Sequence, residues 1–239
     1  MRQPPPLQLT LFNNWQLLRD RQPIQIPSRS QRLVALLALR GRQNRAKVAG
    51  ILWPDVSEPR AQASLRAALS ALQRRVPSLV NKDNGDICLN GDISSDVVEF
   101  RRQADQILNG HIPEPLPVLD DPALTGGELL PGWYDDWVFV EQERIHQLRL
   151  HVLEALAQEL ADRGAHPHAL QMALSAVEID PLRESARRAV INVHLSQGNT
   201  ADAVREYERF SSLLQNELGV TPTCQMTDLI EGATTPSNA

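Results

Sequence analysis

Apolar and polar residues alternate at the start of this chain and then settle into helical spacing. Leu7–Phe12, Trp15–Arg19 and Ile24–Ile26 are short alternating runs, with Asn13-Asn14 and Asp20–Gln22 between them as turn material. Together they predict a small antiparallel sheet. A helix follows, with Ser28 or Ser30 as the expected cap, Leu33, Leu36, Leu37 and Arg40 at helical spacing, and Gly41 as the stop. Arg45–Trp53 reads as a second helix that turns Val48, Ile51 and Leu52 inward, and Pro54 bars its continuation. A third runs from Arg60 to about Arg75, with Pro59 in its first turn and Pro77 beyond its end. Steps of 100° put Ala61, Leu65, Ala68, Leu69, Leu72 and Val76 in one stripe. The opposite face holds Arg60, Ala63, Ser64, Ala67, Ser70, Ala71 and Arg74, so it is small in the middle and basic at both ends. Leu79–Lys82 and Asp86–Leu89 then flank Asp83-Asn84-Gly85, a hairpin signal.

The remainder is helical and repetitive. Gly164 and Gly198 are 34 residues apart, as are Ala169 and Ala203, Ala155 and Ala189, and Leu156 and Val190. A 34-residue period with glycine at the helix–helix turn and alanine five residues on is the tetratricopeptide signature. Two repeats fall short of the three a solenoid needs, so helices at Ser95–Leu108 and Asp136–Leu153 are expected to complete the packing. Between those helices Gly110–Gly132 is proline- and glycine-rich and reads as a long ordered loop or a linker. The pattern predicts a mainly α fold with a small β component. Sheet, three helices and hairpin make an N-terminal winged helix-turn-helix of the OmpR type at residues 1–97. An all-α tetratricopeptide-like domain is expected at 98–232, and a disordered tail at 233–239.

Charge changes the picture. Residues 1–82 hold 14 Lys and Arg against 3 Asp and Glu, a net of +11; residues 83–239 hold 10 against 26, a net of −16. The overall −5 therefore hides a basic half that attracts a polyanion and an acidic half that repels it. Cys88 and Cys224 are too distant in sequence for a metal knuckle or redox pair. No apolar run is long enough for a signal peptide or a membrane span, which points to a cytoplasmic protein with no membrane partner.

The residues Ile51-Leu52-Trp53-Pro54-Asp55 and "ASLRAALSALQRRV" (63–76) resemble the Streptomyces antibiotic regulatory protein family. So do "GELLPGWYDDWVFVEQERIHQLRLHVLEALA" (127–157), "EIDPLRESARR" (178–188) and "AVREYERFSSLLQNELGVTPT" (203–223). The likeness extends over about 7–230. It implies an OmpR-type winged helix joined to a bacterial transcriptional activation domain of tetratricopeptide-like helices. It further implies a sequence-specific DNA-binding activator that binds direct-repeat operators, associates with itself on DNA and contacts RNA polymerase. The two domains take up the 239 residues, leaving no room among them for a receiver, nucleotide-binding or forkhead-associated domain.

A helix enters a major groove only with a leading face that is not bulky, and terminal arginines reach phosphates or guanine edges. Arg60, Ser64, Arg66, Ala67 and Ser70 are therefore the candidate base contacts on double-stranded DNA, with Arg74, Arg75 and Lys82 as phosphate contacts. Arg45, at a helix start whose N–H groups also attract phosphate, joins them. The Asn81–Gly85 tip, with its single cation Lys82, is a candidate wing for an adjacent minor groove. The pairs His146/His151 and His166/His168 lack one-turn spacing and partner ligands, so no metal is expected. No phosphate loop, nucleophile elbow or Cys/His pair suggests an enzyme, and no cofactor is implied. Trp133, Tyr134 and Trp137 read as anchors for the loop onto the long helix that follows, with Asp135 or Asp136 as its cap. The rival reading is a helical-repeat scaffold whose winged helix no longer binds DNA.

Overall fold

The structure of the protein, a computed structural model, describes residues 7–77, 79–91, 93–111 and 122–235. The Pro4–Pro6 run, the centre of the expected loop (112–121) and the last four residues of the expected tail lie outside them. The chain forms two compact units. The first comprises residues 1–103 and 127–145, the second 104–126 and 146–239.

The first unit opens with β1 (Leu7–Thr10), β2 (Gln16–Arg19) and β3 (Gln22–Pro23). Asp20 and Arg21 both adopt positive φ, closing a two-residue turn of the kind that matches strand twist. That turn pairs Arg19 with Gln22 and Leu18 with Pro23, so the third strand ends before the Ile24–Ile26 run expected to form it. Leu9, Leu11 and Leu17 are buried. α1 (Ser28–Arg40) follows, capped by the extended backbone of Pro27 with no serine side chain involved. Ser30 is instead buried in the helix and donates its hydroxyl to the Ala68 carbonyl at 3.2 Å, correcting its expected role as a cap. α1 ends at Gly41, whose positive φ closes the turn.

β4 (Gln43–Asn44) leads into α2 (Arg45–Leu52) and α3 (Glu58–Arg75). The hairpin is β5 (Val80–Asp83) and β6 (Asp86–Leu89), turned at Asn84 and Gly85, both at positive φ. β7 (Ile93–Ser95) runs parallel to β1, giving a four-stranded sheet of order β3-β2-β1-β7 beside a three-stranded one of order β4-β6-β5. β4 and β7 are too short to leave a periodic signal in sequence. α4 (Asp96–Leu108) begins with Asp96, whose carboxylate accepts the backbone N–H groups of Leu11 and Phe12 at 2.8 and 2.9 Å. Phe100 on α4 meets Phe12 edge-on, with ring centroids 5.9 Å apart. Phe12 bridges Leu129, and Leu130 N–H donates to the Leu11 carbonyl at 2.8 Å. Residues 127–145 thus pack in the first unit, although their sequence pattern groups them with the helical domain. They supply backbone partners and the buried Leu129, Leu130 and Val138 that local periodicity cannot locate.

The second unit includes α5 (Pro122–Thr125), the later part of α6 (Asp136–Asp162), α7 (His166–Ile179), α8 (Glu184–Ser196), α9 (Thr200–Leu218) and α10 (Cys224–Thr234). Its repeat is visible in the backbone. Gly164 and Gly198 both stand at φ 75°, and donate to Ala161 and Leu195 carbonyls at 2.9 Å each. Ala169 and Ala203, five residues after each glycine, are fully buried. α10 packs on α8 and α9, with Met226 and Ile230 joining Ile191, Phe210 and Leu214 in one apolar cluster. Ala233 and Thr234 belong to this helix, so helix replaces part of the tail expected at 233–239.

Candidate nucleic-acid interface

α3 forms because Ser57, in extended backbone, precedes Glu58 and Pro59, whose missing N–H costs nothing in a first turn. Glu58 faces the positive helix start, and Arg74 and Arg75 the negative end. Ala61, Leu65, Ala68, Leu69, Leu72 and Val76 are all buried, as the periodicity predicts. α3 packs on α1 and α2. Burial of that stripe fixes the rotation of the helix and therefore which side chains face solvent. Arg60, Arg66, Ala67, Ser70, Arg74 and Arg75 are exposed, and Ser64 is half-buried. The Arg74 guanidinium donates to the Ser70 hydroxyl one turn back at 3.3 Å. Long cations at both ends and small residues between them leave the middle of the face low.

The strand register of the hairpin brings Arg45 and the wing together. β4 pairs with β6 through Gln43–Ile87 and Asn44–Asp86, and the Arg45 N–H donates to the Gly85 carbonyl at 3.0 Å. The Ala46 N–H is taken by the Asn44 side chain at 2.9 Å. These two N–H groups are therefore occupied, correcting the expectation that the start of α2 offers them to phosphate. Arg45 itself is half-buried, so a phosphate contact there falls to its guanidinium. Lys82 is exposed on β5. Beside it, Arg42 holds Asp83 at 2.9 Å. The Arg42 pKa is raised, first of all by that hydrogen bond to Asp83. Arg42 is thus paired at the turn of the wing, in an exposed ion pair.

Some basic residues of this unit hold carboxylates and others, Arg19, Arg21 and Arg29 among them, do not among the described residues. Arg32 is paired with Asp135, Arg40, Arg101 and Arg144 share Glu141, and Arg102 holds Glu99. Among the described residues, Arg45, Arg60, Arg66, Arg74, Arg75 and Lys82 have no carboxylate partner. Lys47, exposed on α2, belongs with them and was missed, although its place two residues after Arg45 in a basic first turn was the available signal. Trp137 is buried and meets Trp133 edge-on at 6.4 Å, as expected of an anchor, whereas Tyr134 is exposed. Asp135 pairs with Arg32, and Asp136 is the first residue of α6. Among the described residues no His, Cys, Asp and Glu group has the form of a metal site, and no helix is long and apolar enough to cross a membrane.

Residues 118–232 match the family described as the bacterial transcriptional activator domain. The chain is 27% identical over 221 residues to the regulatory protein AfsR of Streptomyces coelicolor, covering 85% of this chain and 22% of that protein. It is 26% identical over 216 residues to AfsR of Streptomyces griseus, covering 83% and 22%. It thus spans under a quarter of the length of these curated relatives. Among solved structures, Mycobacterium tuberculosis EmbR in complex with a low affinity phosphopeptide has the same fold, with a TM-score of 0.72 at 16% identity. That likeness covers 95% of this chain and 64% of the EmbR chain. The expected fold, a winged helix followed by an all-α domain, is the one observed.

Proposed function

We propose that this chain, which carries a bacterial transcriptional activator domain and resembles the AfsR regulators, is a member of the Streptomyces antibiotic regulatory protein family and a cytoplasmic transcriptional regulator, acting as an activator through sequence-specific binding to double-stranded DNA. The reading rests on the clustering of unpaired cations. Arg32, Arg40, Arg42, Arg101, Arg102 and Arg144 hold carboxylates, whereas the cations gathered on α3, at the start of α2 and on β5 hold none among the described residues. Arg19, Arg21 and Arg29 are also unpaired among those residues but lie apart in sequence from that cluster, so the clustering carries the reading. An exposed cation without a partner is available to a phosphate, and it releases a condensed counterion when it binds one.

The small centre of α3 suits entry into a major groove, where in this proposal the exposed Arg66 fork reads guanine N7 and O6. Arg60, Ser64, Ala67 and Ser70 line the same approach. Arg45, Arg74, Arg75 and Lys82 fix the register on phosphates, which carry no sequence information of their own. The helical domain contacts RNA polymerase and joins neighbouring protomers. Protomers sit head to tail on direct repeats about one helical turn, ~10–11 bp, apart.

Footprinting of genomic fragments with the full chain, followed by affinity measurements across a salt series, tests this. Four phosphate contacts predict a log–log slope of about −3 to −4 and protected sites in the same orientation. A slope near zero would overturn DNA binding and favour the scaffold reading. An inverted repeat would overturn the head-to-tail arrangement alone.

A further inference from the structure

The first unit holds a second concentration of positive charge, which shares Lys47 with the unpaired set described above. Glu141 on α6 is fully buried, with 1% of its side chain exposed. Its Oε1 accepts from Arg40 of α1 and Arg144 of α6, both at 2.8 Å, and its Oε2 from Arg101 of α4 at 3.3 Å. Arg101 also donates to the Leu39 carbonyl. These groups, with Gln43 and Lys47, line an open cavity of about 450 Å³. That is within the size range of small-ligand sites, although polar where most are apolar.

Four cations thus surround one carboxylate, an excess of three positive charges in a concavity. Both Glu141 oxygens are already engaged, so the carboxylate has little left to offer Lys47 or the remaining guanidinium N–H groups. Among the described residues, Lys47 has no protein acceptor, and only one N–H group each of Arg40 and Arg144 has one. Like charges held together in partly dehydrated space repel, and a bound anion relieves that repulsion. Arginine forks suit the tetrahedral oxygens of a phosphoryl group, which they bind through paired charge-assisted hydrogen bonds.

We propose that this pocket binds a small phosphorylated molecule, with Arg40, Arg101, Arg144 and Lys47 as the cationic wall and Glu141 as the group that holds the arginines in place. The recessed position of Arg40, 19% exposed, favours a ligand that enters the cavity over a duplex backbone that passes its mouth.

Inorganic pyrophosphate is the probe, titrated calorimetrically into the full chain in a phosphate-free buffer. One saturable site is expected. Arg144→Gln and Lys47→Gln should each weaken it about tenfold, the loss of roughly one charged hydrogen bond, while Arg66→Gln leaves it unchanged. Lys47 has no protein partner among the described residues, so the Lys47→Gln melt should match the wild type. Arg144→Gln also takes one of three arginines from buried Glu141, so its binding is read at a temperature where its melt shows it folded. Absence of saturable binding, or equal weakening by Arg66→Gln, overturns the proposal. Displacement of pyrophosphate by duplex, with a DNA salt slope lowered by about one in Arg144→Gln, also overturns it, because the pocket would then hold a backbone phosphate. None of the pyrophosphate measurements requires the chain to bind DNA, so the two readings fail separately.

Discussion

At the scale of single residues, α3 separates three kinds of consequence. Arg66→Ala should cost about 1–3 kcal/mol on the best site and relax base preference there, because the fork it removes reads one base pair. Arg74→Ala should weaken all sequences nearly alike and lower the salt slope by about one. Leu69→Ala opens a cavity in a fully buried stripe and should destabilise the domain by about 2–5 kcal/mol, abolishing binding only through unfolding. Melts and binding to matched and scrambled duplexes measure all three together. If Leu69→Ala stays folded with altered specificity, the DNA-facing set is wrong. Glu141 makes a fourth case. Glu141→Gln should destabilise by about 3 kcal/mol, near the low end for a broken buried ion pair, since Arg101 and Arg144 reach water. Unchanged urea stability would show that the arginines are held by other contacts. Nothing in sequence marks Glu141, because two of its three partners lie 40 and 101 residues away and the third, Arg144, is an ordinary neighbour on the same helix.

At the scale of elements, legibility followed the length of the repeating pattern. The 18 residues of α3 give five turns over which a stripe can declare itself, and every residue placed in that stripe is buried. Two-residue β3 and β4 have no period, and only hydrogen-bonding partners define them. The tetratricopeptide period succeeds for another reason: it encodes a backbone requirement twice. Gly164 and Gly198 share one positive φ and one hydrogen-bond pattern, and neither has a neighbour within 4 Å of where a Cβ would stand. Gly164→Ala and Gly198→Ala should therefore destabilise by similar amounts, about 1–2 kcal/mol each, from backbone strain alone. Chemical denaturation of the two variants checks this, and a large difference between them would mean that the turns are not equivalent.

At the scale of the whole molecule, the folded unit that carries α3 is discontinuous in sequence. A fragment ending at residue 103 lacks Leu129, Leu130, Val138 and Glu141, and exposes the groups they cover. It should melt several degrees below a fragment ending at 145, or without a cooperative transition; coincident melts would show that 127–145 is dispensable. Local physics alone determined much here: the winged-helix order, the buried stripe of α3, the wing turn, the 34-residue repeat and the division of charge. Each depends on residues a few positions apart, or on a sum over many, and both are written along the chain. Which arginines are engaged by carboxylates, which N–H groups at the start of α2 are occupied and where residues 127–145 pack were decided only by tertiary structure. Those outcomes depend on distances between groups remote in sequence, and hydrogen bonds and ion pairs act over a few ångströms in space, whatever the separation along the backbone.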